Sequence, residues 1–472
     1  MKTLEKDGTL LGNFNKQITS PVGWIKAVIL ILCLTISLWI GWEYSLYTHV
    51  NGWQFWLWLV CVCLTVAILY RSGFHIEQED IRLIPFLFLA ALMIRIINLG
   101  SIPGAFHVDE AGVARFAMVD LFGNPGQVIN PFMTGPGSQP ALYHYLILAS
   151  MKFSGFSIGG ARLSSAIAGS LGAITSYFLI KHFSGKRTAI FATVLLVCSH
   201  FDIHYSRLAL NNIWDTIWVP LIIFLFSKGW EEKWDGGGVL AGVALGFSQY
   251  FYHGSKIVLF LLLFLVFTRW QVGGSAKRKI FFLIRMGITA LVIAGPLVSF
   301  SFIKPDFYYA RLYDDWGWKN QAVFTALGEI NYGKYIWHQG VHSLGVYNYF
   351  PDPNGFYHPV IPLVFGLSSV IFQTGFLTAL IRKNWLPILW ILLTSFFGGF
   401  LLSVPNSSPH FVVSIPAIFW LAGLAISWVW DRGFPKLAVV LLISAAFMDL
   451  FYYFVVYTYS IPPDFTVLFP NG

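Results

Sequence analysis

Leu- and Phe-rich runs of about 17–25 residues recur from end to end of this 472-residue chain, long enough to cross a roughly 30 Å hydrocarbon core. No other feature limits the fold so severely. Inside a bilayer each backbone N–H and C=O must find its partner within the protein, so such runs fold as helices. The sequence therefore predicts an all-α polytopic membrane protein. Only 11% of residues are charged, while 56% are hydrophobic. The 19 Trp and 21 Tyr suit the aromatic belts at the two membrane surfaces. The net charge of +8 sits mostly in short loops between apolar runs, where it orients the chain rather than binding nucleic acid. Cys33, Cys61, Cys63 and Cys198 lie inside apolar runs and read as core thiols, so neither a disulfide framework nor a zinc site is indicated. The first apolar run is too long for a cleavable signal and lacks a small-residue cleavage site. No soluble domain of useful size is expected.

Basic loops set the topology. Lys2, Lys6, Lys16 and Lys26 place the N-terminus in the cytoplasm. Spans are expected near 27–48, 53–70 and 83–99, with the loop Arg71 to Arg82 inside. An outer loop of about 100–159 follows, with an amphipathic stretch from Glu110 to Phe122 suited to the interface. Residues 141–153 are apolar but too short for a comfortable span and read as a second interfacial helix, which keeps Lys181, Lys186 and Arg187 inside. Further spans are expected near 160–181, 187–203, 213–229, 237–250, 257–270, 283–303, 360–381, 385–403, 411–430 and 436–457. The total is about thirteen, with a second outer loop of about 304–358. The chain divides into 1–82, with two additional spans; a catalytic unit at 83–457; and an outer tail at 458–472.

This layout collects polar residues on the outer face. His107, Asp109, Glu110, Arg115, Gln139 and Tyr143 come from the first loop. His204, Arg207, Asn211, Asn212 and Asp215, then His253 and Lys256, then Asn406, Ser407, Ser408 and His410, come from later turns. Cations at span ends can hold a phosphate head group while a lipid tail stays in the bilayer. A carboxylate beside them can take a proton from a hydroxyl or amine nucleophile. Each has an ordinary reading too. An Asp–Glu pair in a loop is commonly a solvated turn or helix cap, and a span-end Arg207 or Lys256 commonly snorkels. His204, His253 and His410 are interfacial hydrogen-bonders before they are ligands, and Asp306, Asp314, Asp315 and Glu329 read as solvated loop acids.

Five segments, in this order, resemble the GT-C glycosyltransferases, more narrowly family 39, which includes protein O-mannosyltransferases and lipid A aminoarabinose transferases. They are Phe106-His-Val-Asp-Glu-Ala after a span, Gln139-Pro-Ala-Leu-Tyr-His-Tyr, Ala161-Arg-Leu-Ser-Ser-Ala, Tyr205-Ser-Arg-Leu-Ala-Leu-Asn211, and Ser408-Pro-His-Phe-Val-Val-Ser-Ile-Pro416. The resemblance covers roughly residues 83–430. It implies inverting transfer of a sugar from a polyprenyl-phosphate donor, with Asp109 as base and Glu110 beside it. It further implies donor contacts from Arg207 and Lys256. The chain departs from the family at two places: Gln139-Pro140-Ala141 stands where Lys-Pro-Pro or His-Pro-Pro is usual, and His410-Phe411 where an Arg is common.

The expected function is thus a glycosyltransferase of the cytoplasmic (inner) membrane. The expected catalytic residues are Asp109 and Glu110; those expected at the substrate are His107, Gln139, Tyr143, Arg207, Asn211, Asp215, His253, Lys256 and His410. Its partners would be the lipid-linked donor, the bilayer, and an acceptor that is protein, glycan or lipid; a divalent metal stays open. A lipid flippase or transporter is the main alternative, though such proteins commonly show paired repeats or mid-membrane charges. A non-catalytic polyprenyl-lipid-binding relative is the second.

Overall fold

The computed structural model describes residues 21–46, 52–73, 75–104, 106–123, 132, 140–317, 332–353, 356–357 and 359–458. Among these the chain is helical apart from connections and one isolated antiparallel bridge, Trp316 to Leu402. The first three helices are α1 (Pro21–Leu46), α2 (Gly52–Leu69) and α3 (Gln78–Ile96). Two short ones follow, α4 (Val108–Arg115), which runs on into π-helical turns at Phe116–Phe122, and α5 (Leu142–Ser154). The core is built by α6 (Ile158–Cys198), α7 (His200–Ser206), α8 (Asp215–Glu231), α9 (Asp235–Ser248), α10 (Val258–Thr268) and α11 (Ala276–Ile303). The second loop contributes α12 (Pro305–Tyr308), α13 (Ala310–Asp315) and α14 (Tyr332–Gly345). The chain closes with α15 (Gly366–Ile381), α16 (Trp385–Ser395), α17 (Ile415–Asp431) and α18 (Pro435–Phe451).

Seven helical segments among the described residues are long and apolar enough to cross a membrane, beginning at Val22, Gly52, Ile158, Asn212, Ala276, Ser408 and Pro435. Shorter apolar helices cover His253–Thr268, Gly366–Ile381 and Trp385–Phe400. The chain is a multi-pass membrane protein. Its outer helices turn Phe86, Leu89, Met93, Ile443 and Phe447 outward, where lipid replaces water as their solvent. Cys63 belongs to this outward set, so it is not a core thiol; Cys33 and Cys61 are buried.

The 41-residue α6 is two helices merged at a kink. Gly185 there takes φ +82°, a left-handed conformation that other residues reach only with strain. The kink falls inside the basic turn Lys181 to Arg187. At α3 the helix starts at Gln78, earlier than the expected span. Glu79 and Asp80 thereby enter its first turn, where the helix dipole favours acids.

Ion pairs tie the basic loops into one end of the bundle. Lys181 holds Glu77 (2.6 Å) and Asp80 (2.7 Å), and Lys186 holds Glu79. Arg187 (2.9 Å) and Arg382 (3.5 Å) share Asp431. Arg269 meets Glu231 (3.4 Å), while Arg278 (3.1 Å) and Arg285 share Asp235. Most are partly exposed, worth about 0–1 kcal/mol each, so they mark the end of the bundle more than they hold it. Cohesion comes from packing. Helix α17 is buried over nearly its whole length against α6 and α15, and α9 packs on α8 and α11.

Candidate active site

At the opposite end a cavity of about 360 Å³ opens between the first loop and the later turns. Its floor and walls come from α4, α5, the turn before α8, Tyr252, Asp315 at the end of α13, Phe356, Leu402 to Val404, and the turn before α17. Asp109 lines it and is exposed. Tyr143, His144, Asn211, Asn212, Asp315, Ser403, Ser407 and His410 line it too.

The placement of Asp109 follows from its neighbours. His107 is the N-cap of α4: its Nδ1 accepts from the Asp109 N–H (3.1 Å), and its own N–H donates to Glu110 Oε2 (3.2 Å), completing a capping box. The imidazole also lies against Phe356, ring centres 4.2 Å apart. Glu110 points the other way and is fully buried. Arg162 grips it with two bonds, Nε to Oε1 (2.9 Å) and Nη2 to Oε2 (3.0 Å), and the Ala209 N–H donates to Oε1 (2.8 Å). Arg162 Nη1 also donates to the Pro103 carbonyl (3.0 Å). Glu110 is thus the anchor that ties α4 to α6 and to the turn before α8, leaving Asp109 as the carboxylate that meets the cavity. The bidentate geometry is the one in which a guanidinium and a carboxylate bind most strongly.

Arg207 lies outside the cavity lining. It is buried, and its guanidinium donates to the carbonyls of Arg95 (2.8 Å), Ile94 (3.2 Å) and Ile97 at the C-terminal end of α3, and to that of Ile102 (3.1 Å) in the loop beyond. The carbonyls at a helix end lack intrahelical partners and carry the negative end of the helix dipole, so a cation belongs there. The head group turns inward, so Arg207 does not snorkel.

Tyr252 lines the cavity; Lys256 and His253, in the same turn, do not. Lys256 Nζ lies 2.7 Å from His253 Nδ1, donates to Tyr308 Oη (3.3 Å), and covers the Tyr308 ring at 5.0 Å. Asp215, at the start of α8, is buried under the same turn; a Cβ on Gly254 would come within 2.4 Å of its Oδ2. His410 reaches the cavity wall with Nδ1 2.7 Å from Tyr252 Oη. Gln139 falls outside the described residues.

Several lining residues escaped the sequence. Asp315, expected as a solvated loop acid, belongs to the wall because Ser403 N–H donates to its carbonyl (2.9 Å) beside the Trp316–Leu402 bridge. His144 lines the cavity from an apolar helix, and burial pushes its imidazole down to about 4, so it is neutral near pH 7. Phe356 is held by a bond between its carbonyl and His204 Nε2 (2.7 Å). Among the described residues no group of three or more His, Cys, Asp or Glu is disposed to hold a metal.

Sequence and fold comparisons relate the chain to known proteins. The family model described as dolichyl-phosphate-mannose-protein mannosyltransferase matches residues 138–300. No curated protein sequence matches the chain. Among solved structures, ArnT from Cupriavidus metallidurans is 16% identical with a TM-score of 0.51, covering 77% of this chain and 64% of its own. The oligosaccharyltransferase AglB from Archaeoglobus fulgidus, in complex with an inhibitory peptide and a dolichol-phosphate, is 14% identical with a TM-score of 0.50, over 81% and 56%. The chain therefore spans under two thirds of the length of either. By these structural likenesses the chain has the fold of the GT-C glycosyltransferases.

Proposed function

We propose that the protein is a membrane glycosyltransferase that moves a sugar from a polyprenyl-phosphate donor to an acceptor at the outer face of the cytoplasmic membrane, inverting the anomeric carbon. The observation that carries this is the division of labour at Asp109 and Glu110: one carboxylate is spent on Arg162, and its neighbour is left exposed at a cavity of ligand size. Asp109 takes the proton from an acceptor hydroxyl. The hydroxyl oxygen bonds to the anomeric carbon as the bond from that carbon to the phosphate oxygen breaks, and the electron pair leaves with the polyprenyl phosphate. A phosphate leaves well, so holding its charge matters more than acid assistance. The dolichol-phosphate in the AglB complex supports a lipid phosphate as ligand of this fold. The end away from the basic loops is the outer one by the positive-inside bias.

The test uses purified protein in detergent with a panel of radiolabelled polyprenyl-phosphate sugars, wild type beside Asp109→Asn. Wild type releases sugar from one donor, and the variant, equally well expressed, is slower by about 10²–10⁴-fold, the usual worth of a general base. Full activity in Asp109→Asn would remove the assigned base. Binding of a donor without turnover would favour the non-catalytic relative, and absence of binding would return the flippase and transporter reading.

A further inference from the structure

The hydrophobic interior of the bundle is divided in two. One cluster of buried side chains runs through α6, α8 and α17. A second joins α1 and α2 to the cavity side: it unites Tyr44 and Trp58 with Ala114 of α4, Tyr143 of α5, Tyr250 and Ile293. Tyr143 also lines the cavity, so this second cluster ends at the cavity wall. The two N-terminal helices, which by sequence are additional spans, therefore share a core with the first loop.

The join is specific at α11. Pro296 inside that helix has no N–H, so the Val292 carbonyl one turn earlier lacks its helix partner. Ser37 Oγ of α1 donates to that carbonyl (2.6 Å). The next carbonyl, of Ile293, accepts from Trp58 Nε1 of α2 (3.1 Å) and from Tyr250 Oη (2.7 Å). Backbone carbonyls in a bilayer have no water to turn to, so these donors matter. Small residues let α1 approach: a Cβ on Gly41 would strike the Pro296 carbonyl oxygen, and one on Gly295 the Ser37 hydroxyl. Trp58 is buried and carries the contact onward. Its ring meets Phe132 of the first loop (5.5 Å) and Tyr250 (5.8 Å), both edge to face. Tyr250 begins the turn that puts Tyr252 in the cavity wall, where Tyr252 Oη lies 2.7 Å from His410 Nδ1.

We infer that the α1–α2 pair is part of the catalytic apparatus, not an anchor appended to it, and that Trp58 is its positioning residue. Pinned to α11 at the indole nitrogen, the Trp58 ring offers a fixed surface to Phe132 and Tyr250, and through Tyr250 it sets the turn from Tyr250 to Lys256. The positioning role stands on these contacts alone; its consequence for catalysis rests on the glycosyltransferase reading. A wall displaced by about 1 Å can cost about 10²-fold in rate, so a side chain that never touches substrate can still govern turnover.

The experiment compares the purified full chain in detergent as wild type, Trp58→Leu, the double variant Trp58→Phe/Tyr250→Phe, and Trp56→Leu. Hydrogen exchange is followed by peptide, and sugar transfer is measured from the donor that wild type uses. Trp56 is exposed on the same helix and controls for the loss of an indole from α2. Trp58→Leu should speed amide exchange at residues 250–256 by about tenfold. It should also lower kcat by about 10–10²-fold with little change in the donor KM. The double variant keeps both rings but removes both side-chain donors to the Ile293 carbonyl, and should show the same two changes at smaller size. Trp56→Leu should match wild type in both. If Trp58→Leu yields no folded protein, the double variant decides. A wild-type kcat or wild-type exchange at 250–256 in the deciding variant overturns the inference, even where the unfolding temperature falls, because packing alone would then explain Trp58. If wild type transfers sugar from no donor, the proposed function fails and the catalytic consequence with it, while the exchange data still decide the positioning role.

Discussion

Asp109 and Glu110 are consecutive, yet one is exposed at a cavity and the other has lost all contact with solvent. The buried Glu110–Arg162 pair is satisfied by backbone bonds at both partners, so removing one partner strands a charge. Arg162→Met should lower stability by about 3–5 kcal/mol, the usual result of orphaning a buried ion, read as a fall in thermal unfolding temperature in detergent. Arg207→Met should likewise lower the unfolding temperature by uncapping α3. It should leave undecaprenyl phosphate affinity unchanged, which separates a brace from a phosphate ligand. His144 gives a pH signature. Its folded value is about 4 against an ordinary 6.5, so the folded state resists protonation. Stability should fall as pH drops from about 6.5 to about 4 and level off below, and His144→Asn should flatten that limb. Motif order picked out Asp109, Asn211 and His410 as residues that the cavity brings together. The resemblance pointed to Asp109 as base with Glu110 beside it; that Glu110 is buried depends on Arg162, 52 residues further on, which motif order does not encode.

Among the elements, residues 351–353 and 356–357 are tied to the turns around the cavity, which Phe356 lines. Asp352 accepts from Ser408 Oγ, which also lies 2.6 Å from Tyr205 Oη, and Asn406 Nδ2 donates to the Pro351 carbonyl (2.8 Å). Two histidines of α7 complete the hold: His204 on the Phe356 carbonyl and His200 on the Tyr357 hydroxyl. His200 and His204 are thus loop fasteners. Ser408→Ala leaves the buried Asp352 short of a donor and should cost about 1–3 kcal/mol. Faster hydrogen exchange confined to 351–357, with a raised KM and little change in kcat, would be the sign. Helix positions were legible because hydrophobic length is local. Helix ends were less so: α3 begins before its apolar run, since Glu79 and Asp80 are drawn into the first turn by Lys186 and Lys181 of another helix.

For the molecule as a whole, the basic end and the cavity end lie at opposite ends of one bundle, and this separation is testable in membranes. Single cysteines placed at Lys383 or Arg432 should react with an impermeant maleimide only after the cytoplasmic side is opened. Cysteines at Asp306 or Asp314 should react from outside in intact cells. The reverse pattern would invert the proposed orientation. Apolar run length and the scatter of Lys and Arg sufficed, without a structure, for the helical membrane class and for grouping the basic loops, because both depend on local composition and on one solvent boundary. Tertiary structure decided what those patterns cannot encode: which carboxylate is buried, that Arg207 closes the end of α3, and that Asp315 and Tyr252 meet the cavity. Those outcomes arise from contacts between segments tens to hundreds of residues apart, where packing, not sequence proximity, chooses each charge's partner.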